Sequence, residues 1–271
     1  MFSGVLLEPL LHCIPMSLLM GGAGCLIVWH RLAYLCDAIA HGAILGVVLA
    51  ALMHLPDWMG VLGMATLITV MLLSNRSADK NDVKLMIGGY GSMGFAFAIL
   101  SQRPDLIPLS QGYWMGDVLL MNRTDGWILM GLTTLGIGLM VRHWKSILRW
   151  SFDPDLAQTE GCPVRWLQIG LLMGMSLVVM VSVKMIGSLL LPILLIVPAT
   201  TAAIFAKTPL TMLLQAIGLT AWDLCTGLLL SWQWDIPSGA AISITAILTY
   251  GVISLKKWNT VLSNLNRRAQ S

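Results

Sequence analysis

Long apolar segments separated by short polar stretches are the dominant pattern along this chain. The polar stretches are rich in turn-forming residues, as in HLPDW (54–58), NRSADKND (75–82), SQRPDLIPLSQG (101–112) and QWDIPSG (233–239). A membrane-spanning helix needs about 20 apolar residues. The pattern predicts spans near residues 10–29, 34–54, 58–74, 84–100, 124–142, 165–182, 186–200, 209–231 and 238–256. We therefore predict an all-α, polytopic integral membrane protein of nine helices, or eight if the seventh or first segment does not cross.

The composition agrees with this interpretation. Hydrophobic residues make up 57% of the 271 positions and charged residues 11%, against about 25% charged in soluble domains. We expect one transmembrane domain over 1–258, in contact with membrane lipid, and a cytoplasmic tail over 259–271. No Lys or Arg precedes the first apolar segment, so we expect that segment to be retained rather than cleaved. The five cysteines form no Cys-x-x-Cys pair, and the net charge of +3 gives no reason to expect a nucleic-acid partner.

The basic residues predict the orientation of the chain in the membrane. All of the 16 Lys and Arg residues except Arg103, Arg123 and Lys184 lie in one set of alternate loops or in the C-terminal tail. Because cytoplasmic loops are enriched in Lys and Arg, these loops and the C-terminus are predicted to be cytoplasmic. Most of the tryptophans fall near segment ends, as an interfacial aromatic belt requires.

Asp37 and His41 are the most informative polar residues, because both lie inside the second apolar segment. Residues four apart share a helix face, so the two side chains can converge on one cation. An imidazole with a carboxylate suits zinc, manganese or iron, and ionisable groups at membrane depth are usually functional. A packing hydrogen bond and a proton relay are the alternatives. Small residues on the same segment predict that another helix approaches closely, namely Ala38, Gly42, Gly46 and Ala50.

Two further acidic residues are candidate metal ligands. Asp223 lies in the middle of the eighth segment and is either a third ligand or a helix-packing residue. Asp117 borders a predicted interface, where solvation is the alternative. The chain contains no Gly-x-x-x-x-Gly-Lys-Ser/Thr phosphate loop and no hydrolase or metalloprotease motif. We therefore expect a transport protein that is not an enzyme, and any ATPase must be another polypeptide.

Five stretches, in this order, resemble the membrane permeases of metal-type ABC importers: WHRLAYLCDAIAHGAILGVVLA (29–50), YWMGDVLL (113–120), SFDPDLAQTEGCPV (151–164), VKMIGSLLLPILLIVPATTAAIFAK (183–207) and DIPSGAAISI (235–244). The likeness covers roughly residues 5–256 and is strongest to the zinc-uptake, Znu-type, permease. It implies a type II ABC importer fold. It also implies a homodimer in the bacterial cytoplasmic (inner) membrane that binds a cytoplasmic ABC ATPase and receives metal from an extracytoplasmic solute-binding protein.

The resemblance further implies that Asp37 and His41 lie on the translocation route and that the chain holds no resident cofactor, the zinc, manganese or iron being cargo. Many zinc permeases carry a histidine in the fourth segment, where this chain reads LMIGGYGSMGFAFAIL (85–100). This difference keeps manganese beside zinc as a candidate. A proton-coupled carrier that works without an ATPase is the alternative function, and an inverted internal repeat would favour it.

A short coupling helix that docks on the ATPase is the last feature that the resemblance implies. It would comprise Ala199, Thr200, Thr201, Ala202, Ala203, Ile204, Phe205, Ala206 and Lys207, and an ordinary loop is the alternative. We expect Pro198 to end the seventh span. We also expect Ala202→Glu to prevent ATPase binding while the permease stays folded, because a buried unpaired charge has no room in such an interface.

Overall fold

The computed structural model describes residues 2–73, 81–116 and 123–269. Its backbone there forms eleven α-helices and one short 3₁₀ turn, Pro104–Leu106, with no β-strand among the described residues. The helices are α1 Phe2–His30, α2 Ala33–Leu52, α3 Asp57–Leu73, α4 Asn81–Gln102, α5 Ile107–Met115, α6 Arg123–Phe152, α7 Pro154–Thr159, α8 Val164–Ile186, α9 Leu191–Ala203, α10 Pro209–Trp234 and α11 Ser238–Ala269. The prediction of an all-helical membrane protein is confirmed.

All nine predicted spans fall on helices, but the helices differ in how well they suit a membrane. Six have the length and hydropathy of a span: Pro9–His30, Ala33–Leu52, Asp82–Gln102, Val164–Ile186, Pro209–Trp234 and Ser238–Trp258. Two more, α3 and α9, are apolar but shorter. The number of crossings, eight or nine, therefore stays a prediction. The tail after residue 258 continues α11 as helix to Ala269, so it does not begin at a break in the backbone.

Helix α2 is the centre of the fold, with 78% of its apolar window buried. It contacts α3, α4, α8, α9 and α5. A second group consists of α1, α9, α10 and α11, while α6 packs at the periphery against α1, α7 and α8. A buried hydrogen bond of 2.7 Å between the hydroxyls of Thr69 and Ser176 joins α3 to α8.

The predicted small-residue positions of α2 do mediate close helix contacts. A Cβ added at Gly46 would collide with the carbonyl of Gly60 on α3, and a Cβ added at Gly60 would meet the Cβ of Ala50 at 2.8 Å. Ala38 forms the close contact with α4, since a Cβ added at Gly89 of α4 would lie 2.8 Å from the Cα of Ala38. Only small residues permit these distances, as is usual between membrane helices.

Two sequence-based expectations are wrong. Pro198 does not end the seventh span but lies inside α9, which continues to Ala203. The hydroxyls of Thr200 and Thr201 donate to carbonyls one turn back, including that of Val197. The Pro-rich stretch 101–112, read as a loop, instead contributes most of α5, whose Pro108 occupies a favourable N-terminal position.

Helix α5 is locked onto the turn between α8 and α9. Gly116 and Gly187 have positive φ angles of 60° and 90°, and a side chain on either would strike the backbone of the other segment. The amide of Ser188 donates to the carbonyl of Tyr113 at 2.8 Å. By the predicted orientation, this junction lies at the extracytoplasmic end of the bundle.

The contact between α2 and α3 generates a stability prediction. Gly46→Leu should lower the free energy of unfolding by about 1–3 kcal/mol or more, since overpacking costs that much where the backbone cannot move. Thermal melting of the detergent-purified chain measures it. Gly63→Leu on α3 is the matched control, because a Cβ there meets nothing within 4 Å. Equal melting temperatures for the two variants would show that the contact is not a tight one.

Candidate metal centre

Asp37 and His41 lie on the same face of α2, one turn apart, as their spacing predicts. The Nε2 atom of His41 is 3.7 Å from Oδ1 of Asp37, which is longer than a hydrogen bond. Two ligand atoms that each lie about 2.0–2.2 Å from one ion are separated by roughly 3–4 Å. The pair is therefore spaced to share a cation and is not closed by a direct hydrogen bond.

The two side chains differ in exposure. The side chain of His41 is 8% exposed and that of Asp37 is 29% exposed. The Nδ1 atom of His41 is buried with no hydrogen-bond partner in the described part of the chain, although buried polar atoms are normally paired. Since Nε2 is the nitrogen that lies near Asp37, Nδ1 is a second ring nitrogen of His41 with unused capacity to donate or accept.

Tyr90 of α4 is the nearest aromatic neighbour of the pair that the structure shows. Its ring centroid lies 5.1 Å from that of His41, with the planes tilted by 52°, a favourable separation for aromatic rings. This contact fixes the imidazole from the α4 side. Sequence reasoning did not find Tyr90, since nothing in the spacing of α4 singles it out.

The pair faces away from α3. At about 100° per residue, Gly46 lies roughly 180° around α2 from Asp37, and Gly46 is the residue that touches Gly60. The acidic side chain is therefore directed away from α3 and stays partly exposed in the single chain. A carboxylate left facing lipid would be costly.

Asp223 is buried but belongs to a different contact. Its side chain, on α10, accepts a hydrogen bond of 2.9 Å from the hydroxyl of Thr249 on α11. Thr245 donates to the backbone carbonyl of Asp223 at 3.0 Å. Among the described residues no three His, Cys, Asp or Glu side chains form a group able to hold a metal ion. One chain therefore does not bring Asp223 to Asp37 and His41, and its role as a third ligand stays a prediction. Asp117 lies outside the described residues.

The segment 199–207 is not a separate helix. Its first five residues are the last turn of α9, and the rest form the turn before α10. Ala199, Thr201 and Ala202 are buried, and the two alanines pack in a cluster with Cys25, Met212 and Ala216. Exposed side chains on this segment are those of Ala203, Phe205 and Lys207.

The expectation for Ala202→Glu is consequently wrong. The glutamate would be buried among α1, α9 and α10 of the same chain, and an unpaired buried charge destabilises the fold itself. Any contact with a partner has to be made by the exposed members of the segment.

The match to a family model decides the identity. The model described as "ABC 3 transport family" matches residues 3–257 of this chain.

The chain belongs to the ABC 3 transport family.

Its relatives include zinc and manganese permeases. The chain is 28% identical to the high-affinity zinc uptake system membrane protein ZnuB of Haemophilus influenzae, over 93% of this chain and 97% of that protein. It is 28% identical to the manganese transport system membrane protein MntC of Halalkalibacterium halodurans, over 88% of this chain and 82% of that one. These relatives are transport subunits, and this ABC 3 family member is likewise a membrane permease and not an enzyme.

The fold is shared with a solved structure, "PsaBC from Streptococcus pneumoniae in complex with Fab". The TM-score is 0.81 at 24% identity, covering 92% of this chain and 91% of that chain. This structural match supports the multi-pass helical fold without relying on the pattern of apolar residues in the sequence.

The hydrogen bond between Asp223 and Thr249 predicts how a Thr249 variant changes the stability of the chain. Thr249→Val removes the hydroxyl that donates to the buried carboxylate and should destabilise the chain by about 1–3 kcal/mol, measured by thermal melting. Thr226→Val is the control, because that hydroxyl bonds mainly to the carbonyl of Trp222 in its own helix. If Thr249→Val melted like the control, Asp223 would be satisfied by another group.

Proposed function

We propose that this chain is the permease subunit of an ABC importer that moves a divalent metal cation into the cytoplasm, zinc first and manganese or iron next. A separate ATPase subunit supplies the energy. The observation that carries the proposal is the Asp37–His41 pair on the central helix, whose Oδ1 and Nε2 atoms are spaced for a shared ion. The family membership and the zinc and manganese relatives support it.

A second copy of the chain completes the site in this proposal. Two ligands hold an ion weakly, whereas zinc in proteins usually takes four. In a two-fold dimer each copy presents the same surface, so two Asp37–His41 pairs would supply four ligands. The 29% exposure of Asp37 leaves the carboxylate accessible from outside its own chain. Cover by a partner would also remove the cost of a carboxylate at membrane depth.

The chemistry of the ligands suits transport. The Asp37 carboxylate offsets the charge of the ion in the low-dielectric bundle, and a neutral imidazole replaces one of its waters. A carrier site has to release the ion, so a small ligand set is appropriate. Alternating access would change which side of the membrane the pair faces when ATP drives the helices to a second arrangement.

The ATPase is proposed to dock on the turn at 203–208. This turn is held from three sides. Ala199 and Ala202 anchor it in the core, the Nζ of Lys257 donates to the carbonyl of Ile204 at 2.8 Å, and Thr208 with Thr211 forms a capping box that begins α10. Phe205 projects from it, 43% exposed, as an apolar side chain that fits a pocket on a partner.

The remaining partners follow from the same proposal. The protein lies in the bacterial cytoplasmic membrane, with the basic loops inside. An extracytoplasmic solute-binding protein delivers the metal to the opposite end, where α5 packs on the turn between α8 and α9.

Metal uptake by the assembled transporter tests the site. Asp37→Asn and His41→Ala should each reduce uptake of radioactive zinc or manganese by at least the roughly 10- to 100-fold that loss of even an outer-shell metal partner costs. The double variant should lose less than the product of the two losses, since both groups act on one ion. Dimer assembly and ATPase binding should persist.

Asp235→Asn is the control for charge removal, because Asp235 ends α10 in a left-handed conformation that Asn also tolerates. Wild-type uptake in both site variants would show that the pair serves packing only. Uptake by proteoliposomes that hold this chain alone, driven by a pH gradient without ATPase or ATP, would instead show a proton-coupled carrier.

The docking turn is tested by co-purification with the ATPase. Phe205→Asp should abolish binding, because the partner would have to bury an unpaired charge, while melting of the permease alone stays unchanged. Phe152→Asp is the matched control: Phe152 is also exposed, at 74%, and ends α6 at the same predicted face of the membrane. Equal loss of ATPase in both variants, or in neither, would remove the turn from the interface.

A further inference from the structure

Two cysteines that lie far apart in the sequence meet between α1 and α10. Cys13 is 2% exposed and belongs to the main cluster of buried residues. Cys225 packs against the same cluster with a partly exposed side chain. The two thiols lie close enough to form a hydrogen bond with each other. We call these two residues the Cys13–Cys225 dithiol, a pair that no local spacing in the sequence indicates.

The register of the two helices brings the thiols together. A Cβ added at Gly21 of α1 would lie 2.7 Å from the Cα of Ile217 on α10, so the backbones are in contact there. Further along α1, the indole nitrogen of Trp29 donates to the sulfur of Met212 at 3.2 Å, which shows that the helices run antiparallel. The first thiol precedes Gly21 by eight residues and the second follows Ile217 by eight. Both therefore lie about 12 Å from this contact, in the same direction.

The dithiol lies in the half of the bundle that is predicted to be extracytoplasmic. Cys13 is four residues, about 6 Å, from the start of its span at Pro9. Cys225 is nine residues, about 14 Å, from the end of α10 at Trp234. Half of the hydrocarbon core is about 15 Å thick. The candidate metal centre is on α2, so the dithiol is a separate cluster of potential ligands on other helices.

Two thiols in contact favour a soft cation. Sulfur ligands from cysteine and methionine select ions such as Cu(I), whereas carboxylates suit harder ones. Met16 adds a fully buried thioether three residues after Cys13, on the same face of α1. Among the described residues no third His, Cys, Asp or Glu joins the dithiol. Linear coordination by two sulfurs therefore fits this pair, whereas zinc usually takes four ligands.

Binding of such a cation exchanges protons for the metal. Each thiol loses its proton to solvent as its sulfur bonds to the ion, so two protons leave and no electron is transferred. A disulfide would instead require an oxidant that accepts two electrons. Buried thiols in apolar surroundings are inert toward oxidants, and Cys13 is such a thiol. The arrangement favours a metal site over a redox centre.

We propose that the Cys13–Cys225 dithiol binds one soft, two-coordinate cation of the class of Cu(I), Ag(I) and Hg(II) through both sulfur atoms. The bound ion joins α1 to α10 within one chain. This site is distinct from the Asp37–His41 pair, which offers oxygen and nitrogen ligands. Its test does not use metal uptake, so its outcome is independent of the proposed transport function.

Mercuric chloride is the probe for the full chain, reduced and purified in detergent. An excess of a monothiol such as glutathione then removes mercury that a single cysteine holds. Tryptic cleavage after Arg31 and Lys207 separates the two helices. Mass spectrometry should find the peptides of α1 and α10 linked by one mercury, with two hydrogens lost. Excess zinc chloride during the treatment should not prevent the link.

Three outcomes of this measurement overturn the proposal. One is the absence of a mercury-linked pair of peptides from the wild-type chain. A second is a pair that is linked without mercury and is lighter by two hydrogens, since that is a disulfide. The third is protection by zinc, because the dithiol would then not distinguish a soft ion from a borderline one.

Single-cysteine variants assign the link to the two sulfurs. Cys13→Ala and Cys225→Ala should each abolish it and reduce mercury retention against glutathione by roughly 100-fold or more, since chelation by two linked groups is lost. Cys25→Ala is the matched control, because Cys25 is a fully buried cysteine of the same helix, and it should keep the link. Thermal melting shows which variants fold, and either site variant alone decides. A link that persists in a folded site variant, or that Cys25→Ala also removes, overturns the proposal.

Discussion

The close approach of α2 to α3 is the constraint on which the rest of this structure depends. At Gly46 and Gly60 the two backbones are in direct contact, so neither helix can rotate or slide without a clash. Because helical residues are spaced by about 100°, fixing Gly46 against α3 also fixes Asp37 on the opposite side of α2. The candidate ligands are therefore positioned by glycines that are not ligands themselves, and a looser contact would leave the carboxylate free to turn toward apolar neighbours.

Hydrogen bonding shows which intramembrane polar residues hold the helices together. In a bilayer every hydrogen-bonding group has to find a partner within the protein. Thr69 pairs with Ser176, the threonines after Pro198 donate to carbonyls of α9, and Thr249 donates to Asp223. Asp37 and His41 differ from these, because their closest atoms lie too far apart for a hydrogen bond. This difference separates groups that hold helices together from a pair that keeps polar capacity free for a ligand.

The sequence predicted the features that depend on local spacing. Nine apolar segments became helices, and the four small residues of α2 became its contact surface, because both follow from the helical period. Contacts between distant segments were beyond this reasoning. The hydrogen bond between Asp223 and Thr249 and the ring contact of His41 with Tyr90 each join two different helices. Nothing in the sequence of either helix indicates such a contact. Small residues at 199–203 could fit into a groove of a partner or pack in the core of this protein. The structure shows that Ala199 and Ala202 pack in the core.

Helix α9 connects the proposed docking turn to the central helix. It contacts α2 on one side and α1, α10 and α11 on the others, and its C-terminal end leads directly into the turn that carries Phe205. Its contact with α1 is close, since a Cβ at Gly24 would collide with the carbonyl of Leu195. Close packing of this 13-residue helix favours transmission of a displacement at one end, because packed cores transmit strain. In the proposed transporter, α9 would link the docking turn to α2 through direct contact, which an ATP-driven change at the Asp37–His41 pair requires.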